Sequence, residues 1–157
     1  MDKTMHAFVS HYHADEEHVH NLKDLLSAKG YILKNSSIDS TKPNRADNDE
    51  YIRRLLRLRI QWAGTVIVLI GPRTHTRDWV DWEIEQAFKK GKRIVGVYIN
   101  GASDADVPEN FKLYGNALVG WTGDKIIDAI NGKINNWENP DGTPKEDYWT
   151  VTKGTCS

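Results

Sequence analysis

The chain of 157 residues holds a single cysteine, Cys156, beside its C-terminus, so neither a disulfide framework nor a cysteine-built zinc site is available, and no role is expected for that thiol. No run of about 18 apolar residues occurs, and the opening Met1-Asp-Lys-Thr-Met-His lacks the apolar core of a signal peptide. The expectation is a soluble, cytoplasmic protein. Charge of one sign is missing too. With 21 Lys and Arg against 22 Asp and Glu, the formal net charge of −1 gives no global field toward nucleic acid or an anionic membrane. The cluster Arg53, Arg54, Arg57, Arg59 is local and reads as the solvated face of a helix.

Several chemical signatures are also lacking. There is no G-x-G-x-x-G and no G-x-x-x-x-G-K-[ST], so the usual dinucleotide and phosphate loops are absent. Nothing matches G-x-S-x-G, and Ser10 has no identifiable triad. His11, His13, His18 and His20 are dense, but the first two lie in a loop and the others sit two apart on a helix, which does not share a face. No cysteine or carboxylate cluster completes a ligand set, so no metal is expected and these histidines read as surface and loop residues.

What is present is alternation. His6-Ala-Phe-Val-Ser10 reads as a buried strand, followed by a helix to about Lys29 with Val19, Leu22, Leu25 and Leu26 inward, Asp15 as its cap and Gly30 as its stop. Tyr31-Ile-Leu-Lys is a weaker strand. The polar Asn35 to Asn48 loop, about 14 residues, exceeds the usual connection between strand and helix. A helix follows with Ile52, Leu55, Leu56, Ile60 and Ala63 on one face, capped at Asp49 or a neighbour and ended by Gly64. Val66 to Ile70 is apolar throughout, as a strand covered on both sides should be. Past Ile99 come a loop, a short helix around Glu109 to Leu113, a strand over Ala117-Leu-Val-Gly-Trp121, and a last helix bearing Ile127, Ile130, Ile134 and Trp137. From Glu138 onward Pro, Gly, Asp and Thr dominate, so residues 1–137 read as one domain and 138–157 as an irregular tail on which Tyr148 and Trp149 can dock.

This order predicts an α/β fold, flavodoxin-like, a three-layer sandwich with a parallel five-stranded sheet and helices on both faces. Sites in such sheets form at the carboxyl ends of the strands. Ser10-His-Tyr-His13, the Asn35 to Asn48 loop and Gly71 to Trp79 converge there. The last of these enters a helix, capped by Thr76, whose Val80, Ile84, Ala87 and Phe88 form one apolar face. At roughly 100° per residue Glu83 falls at the edge of that face, on the side of Trp79, while Glu85 falls opposite, in water.

The pieces resemble a Toll/interleukin-1 receptor (TIR) domain. Phe8-Val-Ser-His-Tyr looks like the first TIR strand and its box, Gly30-Tyr31 like the family's helix ending, and Trp79-Val-Asp-Trp-Glu83-Ile is similar to its W-x-x-x-E helix. Asp49-Glu-Tyr-Ile-Arg-Arg54, Val66 to Gly71, Thr74, Trp79 to Glu85 and Gly91 to Ile99 resemble, more closely, the bacterial TIR-like family of the Thoeris antiphage systems. The resemblance spans about residues 6 to 137. The loop after Ile38 departs from the usual TIR pattern, and the tail has no counterpart in a minimal TIR domain.

The resemblance implies an enzyme that cleaves the nicotinamide–ribose bond of NAD⁺ and releases ADP-ribose, a cyclic isomer or a related conjugate. NAD⁺ is then substrate and no separate cofactor is needed. Glu83 matches the catalytic glutamate. His11, Tyr12, Ser37 and Trp79 are candidates to line the substrate. The implied partners are NAD⁺, an effector protein reached through the product, a phage-derived trigger and a second copy of the chain. One acid is chemically sufficient. Glycosidases need a second carboxyl group to protonate the leaving alkoxide, whereas nicotinamide departs from a cationic pyridinium as a neutral molecule. Two other readings of the residues stand beside the enzyme. One is a non-catalytic TIR-type scaffold in which Glu83 and the tryptophans are structural; the other is a flavodoxin-like domain that binds a nucleotide without turning it over.

Overall fold

The computed structural model describes residues 3–12, 15–36, 49–72, 74, 78–99 and 101–143. Five strands carry the fold: β1 (Thr4–Ser10), β2 (Ile32–Asn35), β3 (Thr65–Ile70), β4 (Arg93–Tyr98) and β5 (Ala117–Val119). They form one sheet in the order β2-β1-β3-β4-β5, and every neighbouring pair is parallel. Parallel neighbours require crossovers, and the intervening helices α1 (Glu16–Ser27), α2 (Asp49–Trp62), α3 (Asp78–Lys89), α4 (Glu109–Tyr114) and α5 (Gly123–Ile130) supply them. The expected flavodoxin-like sandwich is therefore the observed one.

Alternation along β1 sorts the layers. Ala7 and Val9 join Leu22 and Leu26 of α1 and Ile126 of α5 on one side of the sheet. Phe8 faces the other way, with Leu56 and Ile60 of α2, Val80 and Ile84 of α3, and Phe111 of α4. All six residues of β3 are buried, as its unbroken apolar run predicts for the middle strand. Each fully buried Leu, Ile or Phe contributes about 1.5–3 kcal/mol of transfer free energy, and both clusters hold many of them.

Glycine matters at one strand position. A Cβ on Gly96 of β4 would lie 2.7 Å from Cζ of Phe111, so the absent side chain lets that ring pack directly on the strand.

Five local expectations are corrected. Phe88 is 52% exposed and stacks on Tyr114 at 4.0 Å between ring centroids, while Gln86 is buried in its place. The cause is α2, which packs along the side of α3 that carries Trp79 and Gln86; Arg57 Nε donates to Gln86 Oε1 at 3.3 Å. Glu85 is half-buried rather than in open water. Asp15 precedes α1 but makes no side-chain capping bond. β5 stops at Val119. The last helix stops at Ile130, because Gly132 takes a φ of +85° and turns the chain out of the helix. Ile134 and Trp137 are apolar at helical spacing, yet they pack from an extended segment: Leu118 N donates to Asn136 O and Glu138 N to Leu118 O, an added parallel bridge beside β5.

That segment is tied down in two further places. Arg93 donates from Nε to Ala129 O and from a terminal nitrogen to Ile134 O, both at 2.7 Å. Glu138 is buried, accepts the Gly120 N–H at 3.3 Å and pairs with Lys125 at 2.8 Å. The described chain runs on to Thr143; Tyr148, Trp149 and Cys156 lie outside the described residues, as do the expected Thr76 cap and most of the loop before α2.

Candidate active site

Two elements, β1 and α3, bring the site together at the carboxyl edge of the sheet. Ser10, the last residue of β1, lies on the same face as Phe8, two positions earlier, and so points toward α3. α3 returns across that face with Glu83 on its flank. The two side chains meet: Ser10 Oγ donates to Glu83 Oε1 at 2.6 Å, a short charge-assisted bond. Ser10 is buried, with 1% of its surface exposed.

Burial dominates the electrostatics of Glu83. Loss of water raises its carboxyl from 4.5 to about 7; the Ser10 hydroxyl and the nearby His11 ring oppose that rise and do not cancel it. A carboxyl group half ionised near neutral pH can hold negative charge against a cation and can also accept a proton. Such groups concentrate at reacting centres, and this one sits where a doubly wound sheet places its ligand.

His11 is fixed next door. Its Nδ1 lies 2.8 Å from Val9 O and its Nε2 2.6 Å from Glu16 Oε1, and its side chain is only 6% exposed. Both partners accept, so a ring that donates to both must carry two N–H groups. His11 is thus turned into the protein as a neighbour of Glu83, and both nitrogens are occupied. Tyr12 is half-buried at the same strand end, where its carbonyl accepts the Asp15 N–H at 2.8 Å. Trp79 lies one helical turn before Glu83, 36% exposed, edge-on to Trp82 at 5.5 Å. Ser37 lies outside the described residues. Among the described residues no three His, Cys, Asp or Glu side chains gather as a metal-binding group. His18, in the first turn of α1, meets Trp121 edge-on at 6.2 Å.

Gly71 and Thr74 follow β3 at the same carboxyl edge. Gly71 N donates to Thr74 Oγ1 at 2.8 Å, and Thr74 is fully buried. A Cβ on Gly71 would come within 2.6 Å of Ile99 and 3.0 Å of the Asp15 carboxylate, so β3, β4 and the start of α1 close on this point. Sequence reasoning passed over Ser10 as a partner of Glu83. The signal was the two-residue period of β1, readable only once β1 and β3 are known to be neighbours beneath α3.

The family model described as Thoeris protein ThsB, TIR-like domain, matches residues 8–104, well over half of the chain. The chain belongs to that family. The matched TIR-like stretch runs from β1 through β4 and includes Ser10, His11, Trp79 and Glu83. Among curated proteins, the chain is similar to "Putative cyclic ADP-D-ribose synthase ThsB1" of Bacillus cereus (strain MSX-D12), at 35% identity over 57 residues. That match covers 36% of this chain and 30% of the relative, so the chain spans under a third of the relative's length. No helix among the described residues is long and apolar enough to cross a membrane.

Proposed function

We propose that this TIR-like domain cleaves the nicotinamide–ribose bond of NAD⁺ with Glu83 as the catalytic carboxylate, and makes a cyclic ADP-ribose-type signal in antiphage defence. The observation that carries the reading is the 2.6 Å Ser10–Glu83 bond around a carboxyl raised by burial to about 7. The relative's name, which speaks of cyclic ADP-D-ribose synthesis, supports the cyclic product.

In this reaction the bond between ribose C1′ and the pyridinium nitrogen breaks, its electron pair neutralises the ring, and nicotinamide leaves without a proton. The ionised Glu83 faces the cationic ribose and accepts hydrogen bonds from its hydroxyls, a contact that strengthens as charge develops at C1′. Water attacking C1′ gives ADP-ribose. A nitrogen of the substrate's own adenine attacking instead gives a cyclic isomer. Either nucleophile loses one proton, and a carboxylate with an affinity near pH 7 is suited to receive it. Ser10 holds the carboxylate's orientation, and the neighbouring His11 ring favours its ionised form. NAD⁺ is the substrate in this scheme and no other cofactor enters. A cytoplasmic site of action, an effector that reads the product, a phage-derived trigger and self-association complete the proposal.

The non-catalytic scaffold reading draws on a different surface. Phe88 and Tyr114 stack in the open beside Leu113, which is 66% exposed, as an association face would require.

Incubation of the purified protein with NAD⁺, with chromatographic resolution of the products, tests the proposal. Nicotinamide and a cyclic ADP-ribose are expected from the wild type and neither from Glu83→Gln. Turnover retained by Glu83→Gln sinks the role given to Glu83.

A further inference from the structure

Two arginines on α2 lie over two tryptophans on α3. The Arg53 guanidinium stands 5.6 Å from the Trp79 ring centroid, and that of Arg57, one turn on, stands 5.5 Å from Trp82. Their polar surroundings differ. Arg57 reaches Gln86 through Nε and lies 3.8 Å from the Glu50 carboxylate. Arg53 Nε is buried and has no acceptor among the described residues. An unmatched buried donor on a cation is unfavourable, and an arriving anion would recover that loss.

The place of this cation is fixed by topology. In a parallel sheet the crossover helices start at the carboxyl edge of the strands. Arg53 lies in the second turn of α2 and Trp79 in the first turn of α3, so both flank the edge at which Ser10 meets Glu83. Trp79 is one turn from Glu83 and its side chain neighbours it on the helix surface.

We infer that Arg53, held over Trp79, is an anion subsite that receives the diphosphate of the substrate while the reacting ribose lies at Glu83. The inference rests on the NAD⁺ reading for its ligand, and its chemistry is that of a guanidinium donating to phosphate oxygens beside an aromatic wall. In a dinucleotide one ribose separates the scissile bond from the first phosphate, and one helical turn separates Glu83 from Trp79. Arg57 already has its acceptors and takes no part.

Calorimetric titration with ADP-ribose and with nicotinamide riboside, which has no phosphate, separates the two halves of the ligand. Arg53→Gln is expected to weaken ADP-ribose by about tenfold or more and to leave nicotinamide riboside unchanged. Arg53→Lys, which keeps the charge but loses the planar fork, should fall between, and Arg57→Gln should bind like the wild type. In turnover, Arg53→Gln should raise KM for NAD⁺ about tenfold with kcat within a factor of about two. Equal weakening of both ligands, an unchanged affinity for ADP-ribose, or no ADP-ribose binding by the wild type overturns the inference. If Arg53→Gln does not fold, the Arg53→Lys titration decides alone, and wild-type affinity there counts against a guanidinium subsite. Failure of the NAD⁺ reading is distinguishable: the wild type would then bind ADP-ribose in an Arg53-dependent way and release no nicotinamide.

Discussion

Ser10 and Glu83, 73 positions apart in the chain, share a hydrogen bond of 2.6 Å between the end of β1 and the flank of α3. The hydroxyl donates to a carboxyl that burial has raised to about 7, so it stabilises the ionised form against the pull of desolvation.

The pH dependence of turnover follows from that bond. With the carboxylate as the active form, kcat/KM should rise with pH and level off above about 7. Ser10→Ala removes a group that lowers the affinity of Glu83 for its proton, so the acid limb should move to higher pH. Activity should fall several-fold at pH 6 and approach the wild type by pH 9. A pH–rate profile with an unmoved limb would contradict the role given to Ser10.

Stability should respond in the opposite sense. The folded chain holds the Glu83 proton up to about 7, whereas the unfolded chain releases it near 4.5. Between those values the folded state binds more protons, so folding weakens as pH rises and recovers as it falls. The gap corresponds to a ceiling of about 3 kcal/mol. Glu83→Gln, which still accepts from Ser10, should stabilise the fold by about 1–3 kcal/mol at pH 8 and change little at pH 4. Urea denaturation at the two pH values measures it. A variant that is less stable at pH 8 would show that the carboxylate is not strained by its burial.

Packing on the α4 side gives a third test. Gly96→Val places its branches into Phe111, whose Cζ is already 2.7 Å from the Cβ position, so overpacking should cost about 1–3 kcal/mol. Coupling Gly96→Val with Phe111→Leu should return part of that loss. Thermal denaturation of the two single variants and the double variant measures the coupling, and strictly additive losses would show that the ring and the strand do not compete for space.

A fourth concerns the strap after α5. Arg93→Met gives up two 2.7 Å bonds to Ala129 O and Ile134 O and leaves both carbonyls without that donor. A loss of about 2–4 kcal/mol is expected from denaturant midpoints. Amide exchange should quicken first around Leu118 and Glu138, whose pairing depends on that strap.

Much of this was legible in the residues, for physical reasons. The apolar runs of β3 and β4 are long and unbroken because both faces are covered, and the angle of Glu83 on α3 follows from helical geometry alone. Glu83 fell at the boundary of the apolar face, where the structure has it half-buried against Ser10. What the sequence left hidden depends on neighbours. Phe88 is in phase with Ile84, but the lateral cover comes from α2, so Gln86 is buried and Phe88 is left to Tyr114. Ile134 and Trp137 keep helical spacing beyond a glycine that has already ended the helix. Periodicity reports which residues want cover; it does not report which element supplies it.

The bridge from Leu118 to Trp137 has one more consequence. It occupies the outward N–H and C=O of Leu118 with the chain's own extended segment, so a visiting strand cannot pair with β5 there. The opposite flank ends in β2, a strand of four residues with Ile32 half in solvent. Among the described residues the sheet is therefore lopsided: β2 is the outer strand on one side, whereas on the other side β5 already has the Trp137 segment beside it.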